Sequence, residues 1–190
     1  MELPDLTRRG IIRLYHGSSR TDITHFELKY SRKNFSDFGV GVYFTTSEEQ
    51  AMQWAVKSSN VGAVYTIDLD IRGLDIKQYL TYSDKFIDTF CLCRAGFEDQ
   101  AQDIKGHSIV YGFMIDNDKK AITKATNDYV TARIQANQVR GAIRVFDNKD
   151  QLCIKRQDIL DKIVVKPPRL VERVPGYPSY DRRSYKWKRR

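Results

Sequence analysis

Short apolar runs separated by turn-forming and charged stretches lay the chain out as a mixture of strands and helices. Ile11-Ile12-Arg13-Leu14-Tyr15 is such a run, and it stops at His16-Gly17-Ser18-Ser19, which predicts a strand followed by a loop. Residues 20–39 are polar and irregular, and Val40-Gly41-Val42-Tyr43-Phe44 predicts a second strand. Ser47-Glu48-Glu49-Gln50 has the spacing of a capping box, with Ser47 as the cap and Gln50 reaching back. The helix it opens carries Ala51, Trp54 and Ala55 on one face, the spacing of a packed amphipathic helix.

Further on, residues 63–69 alternate like a strand. Residues 84–95 and roughly 119–137 have helical spacing, with a strand over 107–112 between them. Ile143-Arg144-Val145-Phe146 predicts a short strand and Asp147-Asn148-Lys149-Asp150 a turn. Gln151-Leu152-Cys153-Ile154 then reads as a strand, followed by a short helix near 156–161 and a last strand over 163–165. Pro167-Pro168 ends the body. Strands and helices mix without a regular βα repeat, so the predicted class is α+β. The predicted division is a body over 1–166 and a C-terminal tail over 167–190.

Composition narrows the class. Apolar residues make up 41% and charged residues 29% of the 190, the balance of a globular chain and not of a disordered or collagen-like one. No apolar run reaches the ~18 residues of a membrane span, and Met1-Glu2-Leu3-Pro4-Asp5 lacks a signal-peptide pattern. Cys91, Cys93 and Cys153 have no metal-ligand spacing and read as reduced thiols, so the expectation is a cytoplasmic protein with no metal and no membrane partner. The net charge of +8 sits mostly at one end. Residues 167–190 hold eight basic side chains against two acids, which leaves 24 against 22 in residues 1–166.

Three segments could carry chemistry. In Leu14-Tyr15-His16-Gly17-Ser18 a histidine at a strand end is followed by a glycine that lets a ligand approach the backbone; alone, it also reads as a surface turn. In Asp37-Phe38-Gly39-Val40-Gly41-Val42-Tyr43-Phe44-Thr45 two glycines precede a strand whose alternation puts Tyr43 and Phe44 on opposite faces, one for the core and one for stacking. The Asp-Phe-Gly triplet has no Gly-rich nucleotide loop or catalytic-loop motif beside it, so a kinase reading fails. The third is Gln151 at a strand start, which without context is a solvated polar residue.

Taken together, Tyr15-His16-Gly17-Ser18, then Asp37 to Thr46, then Glu49-Gln50-Ala51-x-x-Trp54-Ala55 resembles the His-Tyr-Glu branch of the ADP-ribosyltransferases, the diphtheria-toxin and poly(ADP-ribose) polymerase lineage. Within it, the string is similar to a small bacterial, toxin-type family long catalogued as a domain of unknown function. The resemblance is strong over 14–55, weaker to 166, and does not cover the tail. It implies the ADP-ribosyltransferase fold, two small packed antiparallel or mixed sheets with flanking helices, and NAD as substrate. His16 would hydrogen-bond the adenosine ribose, Gly17 would hold the nicotinamide amide through its backbone, and Tyr43 would stack on the nicotinamide ring. Ser18 or Ser19 would add a ribose or amide contact, and Phe38 and Gly39 would line the NAD site. The family's third residue, a glutamate or glutamine opening a late strand, falls on Gln151, with Gln138 as the competitor. His16, Tyr43 and Gln151 are thus the implied catalytic set.

The chemistry suits these residue types. Breaking the nicotinamide–ribose bond passes through an oxocarbenium-like state, so the protein has to position NAD and stabilise developing positive charge. A glutamine can orient a ribose hydroxyl but cannot be a carboxylate base, which favours transfer of one ADP-ribose unit over polymer extension. Asp37 could supply a carboxylate nearby or could simply form the turn. His25 and His107 receive no role. The tail interleaves Tyr177, Tyr180, Tyr185 and Trp187 with arginines and lysines, a pattern for single-stranded nucleic acid, for a disordered solubilising end, or for docking an acidic antitoxin. The expected protein is an NAD-dependent mono-ADP-ribosyltransferase acting on RNA, single-stranded DNA or protein, a toxin of a toxin–antitoxin or phage-defence system. The alternative is a degenerate module that binds NAD or nucleic acid without turnover.

Overall fold

The strand predicted over residues 63–69 is the centre of the first of two sheets in the computed structural model, which describes residues 2–31, 36–115, 119–143, 145–177 and 182–188. It extends over Val61–Asp70 as β3, flanked by β1 (Ile11–Ser18) and by β7 (Arg169–Arg173), with β8 (Tyr185–Trp187) outermost. Every pairing in this sheet is antiparallel. Toward its end β3 shows a one-sided alternation, with Ile67 and Leu69 buried and Asp68 and Asp70 outward. Val64 and Tyr65 are both buried because a helix covers the second face there.

That helix is α1 (Glu48–Ala55). Ser47 caps it by accepting from the Gln50 N–H at 3.2 Å, as expected, but the Gln50 side chain does not reach back. It donates instead to the Asp150 carbonyl oxygen at 2.7 Å. Ala51 and Ala55 pack on the sheet, whereas Trp54 is turned outward, 43% exposed, with Lys57 Nζ 4.0 Å from its ring centre. Of the three expected residues only the two alanines are buried, and Met52 joins them.

The second sheet has the order β2 (Val42–Phe44), β6 (Val145–Ile154), β5 (Ile109–Ile115), β4 (Ile76–Gln78), with β4 parallel to β5 and the other pairs antiparallel. The seven residues of β5 are all buried. The turn expected over 147–150 is absent, since β6 runs through as one strand. A register irregularity opposite Phe113 and Ile115 absorbs the polar stretch. Arg144 lies outside the described residues. α2 (Asp84–Ala95) matches its predicted span, capped by Ser83 and closed by Gly96 in the left-handed region. The helical region expected over 119–137 divides into α3 (Lys119–Val130) and α4 (Ala136–Ala142), and the short helix near 156 is α5 (Gln157–Leu160). Residues 163–165 form no strand.

The class is α+β. One large cluster, including Leu14, Tyr65, Phe86, Phe113 and Leu152, fills the core, and a smaller one lies under α1. The chain beyond Pro168 does not hang free in the described residues: β7 and β8 extend the first sheet, and Val171 and Tyr185 are buried beneath α1. Two strands of three and five residues carry too little alternating pattern to be seen among so many charges. Among the described residues no helix is long and apolar enough to cross a membrane.

Candidate functional site

The two sheets meet at one isolated bridge, where Tyr15 and Thr45 exchange both backbone hydrogen bonds at 2.8 and 3.0 Å. Tyr43 lies opposite Cys153 in the β2–β6 register. Because strand side chains alternate, one face of this junction carries Gly17, Tyr43 and Gln151, and the other carries His16, Phe44 and Asp150. The sequence-predicted triad is thus gathered at the junction, with His16 on the opposite side of the backbone from Tyr43 and Gln151.

His16 sits inside β1 and not in a loop, because pairing with β3 continues to Ser18 opposite Ala63. Its ring fills the gap where β1 diverges from β2, against Phe26 and Phe44 at 5.2 and 5.6 Å between centroids. Nδ1 lies 2.8 Å from the Tyr43 carbonyl oxygen. A carbonyl only accepts, so Nδ1 carries the proton. Burial pushes the imidazole pKa below its ordinary value, against the smaller opposing effect of that carbonyl, so the ring is neutral near pH 7. Nε2 is then a hydrogen-bond acceptor.

Gly17 has a reason internal to the fold. A Cβ built on it would fall inside contact distance of the Ala51 carbonyl oxygen, and one built on Gly62 would meet the Ala55 carbonyl oxygen. The two glycines are the seat that lets α1 lie directly on the sheet. Ser18 Oγ accepts from the Arg20 N–H at 3.1 Å, and Ser19 is exposed at the strand's end.

The segment leading into β2 is held at nearly every polar atom. Lys155 Nζ donates to the carbonyls of Phe38 and Val40 at 2.7 and 3.1 Å and pairs with Glu98 at 2.5 Å. Glu98 accepts from the Val40 N–H at 2.6 Å. The Tyr43 hydroxyl donates to the Gly39 carbonyl at 2.8 Å and accepts from the Phe38 N–H at 2.9 Å. Burial holds that phenol well above its ordinary pKa, so it stays protonated. Gly39 has φ +76°, and a Cβ there would collide with the Glu98 carboxylate, while one on Gly41 would meet Cys153 Sγ. The close approaches those glycines announced are therefore to side chains of this chain. Phe38 is fully buried, stacked on Tyr79 at 6.0 Å, so its ring is a core group that no ligand reaches in this arrangement.

Gln151 Nε2 donates to Asp37 Oδ2 at 2.8 Å and to the Phe113 carbonyl at 2.9 Å. Asp37 is buried and ion-paired with Arg94; burial raises its carboxyl pKa, while Arg94 and Gln151 pull it the other way. Gln138 lies in α4, exposed, with its side-chain oxygen accepting from the Gln135 N–H at 2.9 Å as part of a capping box. Of the two glutamines, Gln151 alone lies on a strand at the junction.

Sequence reasoning missed the groups that hold the site. Arg94, Glu98 and Lys155 lie far along the chain from the loop they grip and carry no motif. Asp150, expected in a turn, is a buried carboxylate that accepts from Thr45 Oγ1 at 2.6 Å, from the Thr46 N–H at 2.9 Å, from Thr46 Oγ1 and from the Tyr111 hydroxyl at 3.1 Å. It ties β2 to the start of α1. His25 and His107 pair with Asp161 and Asp75 at 3.2 and 2.8 Å, away from the junction's residues. The three cysteines are free and buried, and burial pushes the Cys153 thiol up to about 12. Among the described residues no three His, Cys, Asp or Glu side chains are grouped as metal ligands.

In the C-terminal ribbon the Arg169 guanidinium stacks on Trp187 at 3.6 Å, and Lys186 and Lys188 each lie 4.0 Å from Glu172. Tyr180, Arg189, Arg190 and the Arg182 side chain lie outside the described residues.

A family model described as "Protein of unknown function (DUF3990)" matches residues 12–164, a span that takes in the whole junction and stops short of the ribbon. A comparison with curated proteins finds no match.

Proposed function

The chain belongs to the family whose model spans it, and we propose that it is an NAD-dependent mono-ADP-ribosyltransferase acting on a macromolecular acceptor. The observation that carries the reading is the neutral, Nδ1-protonated His16 held by the Tyr43 carbonyl, beside a face that presents Gly17, Tyr43 and Gln151. This pattern agrees with the resemblance to the His-Tyr-Glu ADP-ribosyltransferases. Nε2 of His16 accepts from a ribose hydroxyl, the Gly17 backbone takes the nicotinamide amide, and the half-buried Tyr43 ring stacks on nicotinamide. Trp54, exposed one turn past the alanine that seats on Gly17, offers a second aromatic surface beside that strand.

In the reaction the bond from ribose C1′ to the nicotinamide nitrogen breaks and its electron pair leaves with nicotinamide. A lone pair of the acceptor forms the new bond to C1′, and the acceptor's proton goes to solvent or a nearby base. The fixed loop and the imidazole supply positioning and electrostatic stabilisation, the two effects such a reaction needs most. With an amide and no carboxylate at position 151, the reading is transfer of one unit. Nucleic acid is the leading acceptor, given the basic C-terminal strands, and protein is the next. A toxin restrained by an antitoxin partner in the cytoplasm fits this activity.

A second reading has its own support: Gln151 spends its amide nitrogen on Asp37 and Phe113, so the fold could bind NAD or nucleic acid without turnover. Labelled NAD incubated with the protein and separate pools of RNA, single-stranded DNA and cell protein decides between them. Label on one pool, lost in Gln151→Ala and retained in Gln138→Ala, is the expected result. NAD bound with no pool labelled would select the binding module.

A further inference from the structure

Resting on that reading of the site, the geometry points to Asp37 as a positioning residue: it locks the Gln151 carboxamide so that its oxygen, and not its nitrogen, is the group offered to the ribose. A primary amide can present either a donor or an acceptor, and a glutamine standing where a carboxylate would serve must present the acceptor. Two neighbours settle the choice. The Asp37 carboxylate at 2.8 Å and the Phe113 carbonyl at 2.9 Å both take hydrogen bonds, so both demand the NH2 end. Oε1 makes no hydrogen bond to a described residue and is the remaining acceptor on the face shared with Tyr43 and Gly17. Asp37 is itself fixed by Arg94 from α2 and is buried, so the lock does not depend on a mobile surface group. Gln151 thereby imitates one carboxylate oxygen while remaining neutral.

This accounts for a pairing that packing alone does not require. Arg94 is mostly buried and needs the Asp37 anion, but that need alone does not set Gln151 beside the same carboxylate. A carboxylate at 37 would also exclude a glutamate at 151, because two buried acids in contact oppose each other's ionisation. The pair thus ties the identity of residue 151 to that of residue 37.

The test exchanges the two chemistries. Asp37→Asn keeps the size but lets residue 37 donate or accept, so the Phe113 carbonyl alone still fixes the sense of the amide at 151. Turnover of NAD is expected to fall about tenfold or more through kcat, with KM for NAD changed much less. Gln151→Glu sets one acid against another and is expected to lose a similar factor. The double variant D37N/Q151E keeps the charge of the cluster and restores one donor facing one acceptor between 37 and 151, while the Phe113 carbonyl loses its donor, so its kcat is expected to recover above both single variants but not to the parent's. A D37N enzyme with wild-type kcat, or a double variant no better than the worse single one, would overturn the proposal. A second readout does not involve NAD. In the 15N-labelled wild-type protein the Gln151 NH2 protons are expected to exchange slowly with solvent, and quickly in Asp37→Asn. Rapid exchange in the wild type would overturn the lock even if NAD turnover is robust, while slow exchange in a protein that never cleaves NAD would leave the lock standing and reject the enzymatic reading.

Discussion

The segment from Asp37 to Tyr43 and the C-terminal ribbon of β7 and β8 both lie at the margin of a sheet, yet they are held in opposite ways. In the first, a lysine, a glutamate, an arginine and a glutamine from three distant elements grip consecutive backbone atoms and one aspartate, mostly out of solvent. In the second, sheet pairing and the buried Val171 and Tyr185 supply the attachment, and the charged side chains reach loosely over exposed surface. The contrast separates a rigidly held candidate site from a peripheral edge. Buried charge-assisted hydrogen bonds fix geometry, whereas exposed ion pairs contribute little.

Substitutions can break or sharpen this contrast, and the largest effect is expected at the helix seat beside the site. Gly17→Ala forces the Ala51 carbonyl away from β1 and should cost about 3 kcal/mol or more in chemical denaturation. A loss below ~1 kcal/mol would mean that α1 can shift without penalty. Lys155→Met removes the donor to the Phe38 and Val40 carbonyls and leaves Glu98 with the Val40 N–H. With Glu98 partly solvated, the expected loss is about 2 kcal/mol. In the ribbon, Lys186→Ala and Lys188→Ala should each change stability by less than about 0.5 kcal/mol. Equal losses in the two regions would erase the distinction between them.

The pH dependence follows from His16, whose folded pKa lies below the ordinary imidazole value of 6.5. Protonation turns Nε2 from acceptor to donor, so NAD binding should be flat above pH 6.5 and fall only at a lower pH, with the folded imidazole. Stability shares this sign. As pH falls below 6.5 the unfolded chain takes up a proton that the folded one resists, and the native state loses ground. Titration of binding across pH 5 to 8 checks both the window and the direction. A midpoint above 6.5 would mean that the imidazolium is the stabilised form.

Local signals in the sequence carried much of the fold. The strand over 63–69, the helical spacing over 84–95 and the Ser47 cap all depend on neighbours within a few residues, and the structure has a strand, a helix and a cap there. Trp54 misled because helical spacing cannot say which way the buried stripe widens, and here Met52 joins the two alanines in its place. The polar residues 147–150 read as a turn because a strand with Asp150 buried in it needs the hydroxyls of Thr45, Thr46 and Tyr111, which only the folded chain brings. At the candidate site, the family resemblance singled out His16, Tyr43 and Gln151, and the structure brings them to one junction. Their supports, Arg94, Glu98 and Lys155, were invisible because a lysine that donates to a backbone carbonyl has no pattern of its own.

Nicotinamide release from NAD by the purified protein, measured beside His16→Ala and Tyr43→Ala variants whose folding is checked by thermal melts, tests the central claim most directly. The account predicts release by the wild type and its loss in both variants at little change in melting temperature. Wild-type protein that neither binds nor cleaves NAD, or folded variants that cleave it as fast as the parent, would contradict it.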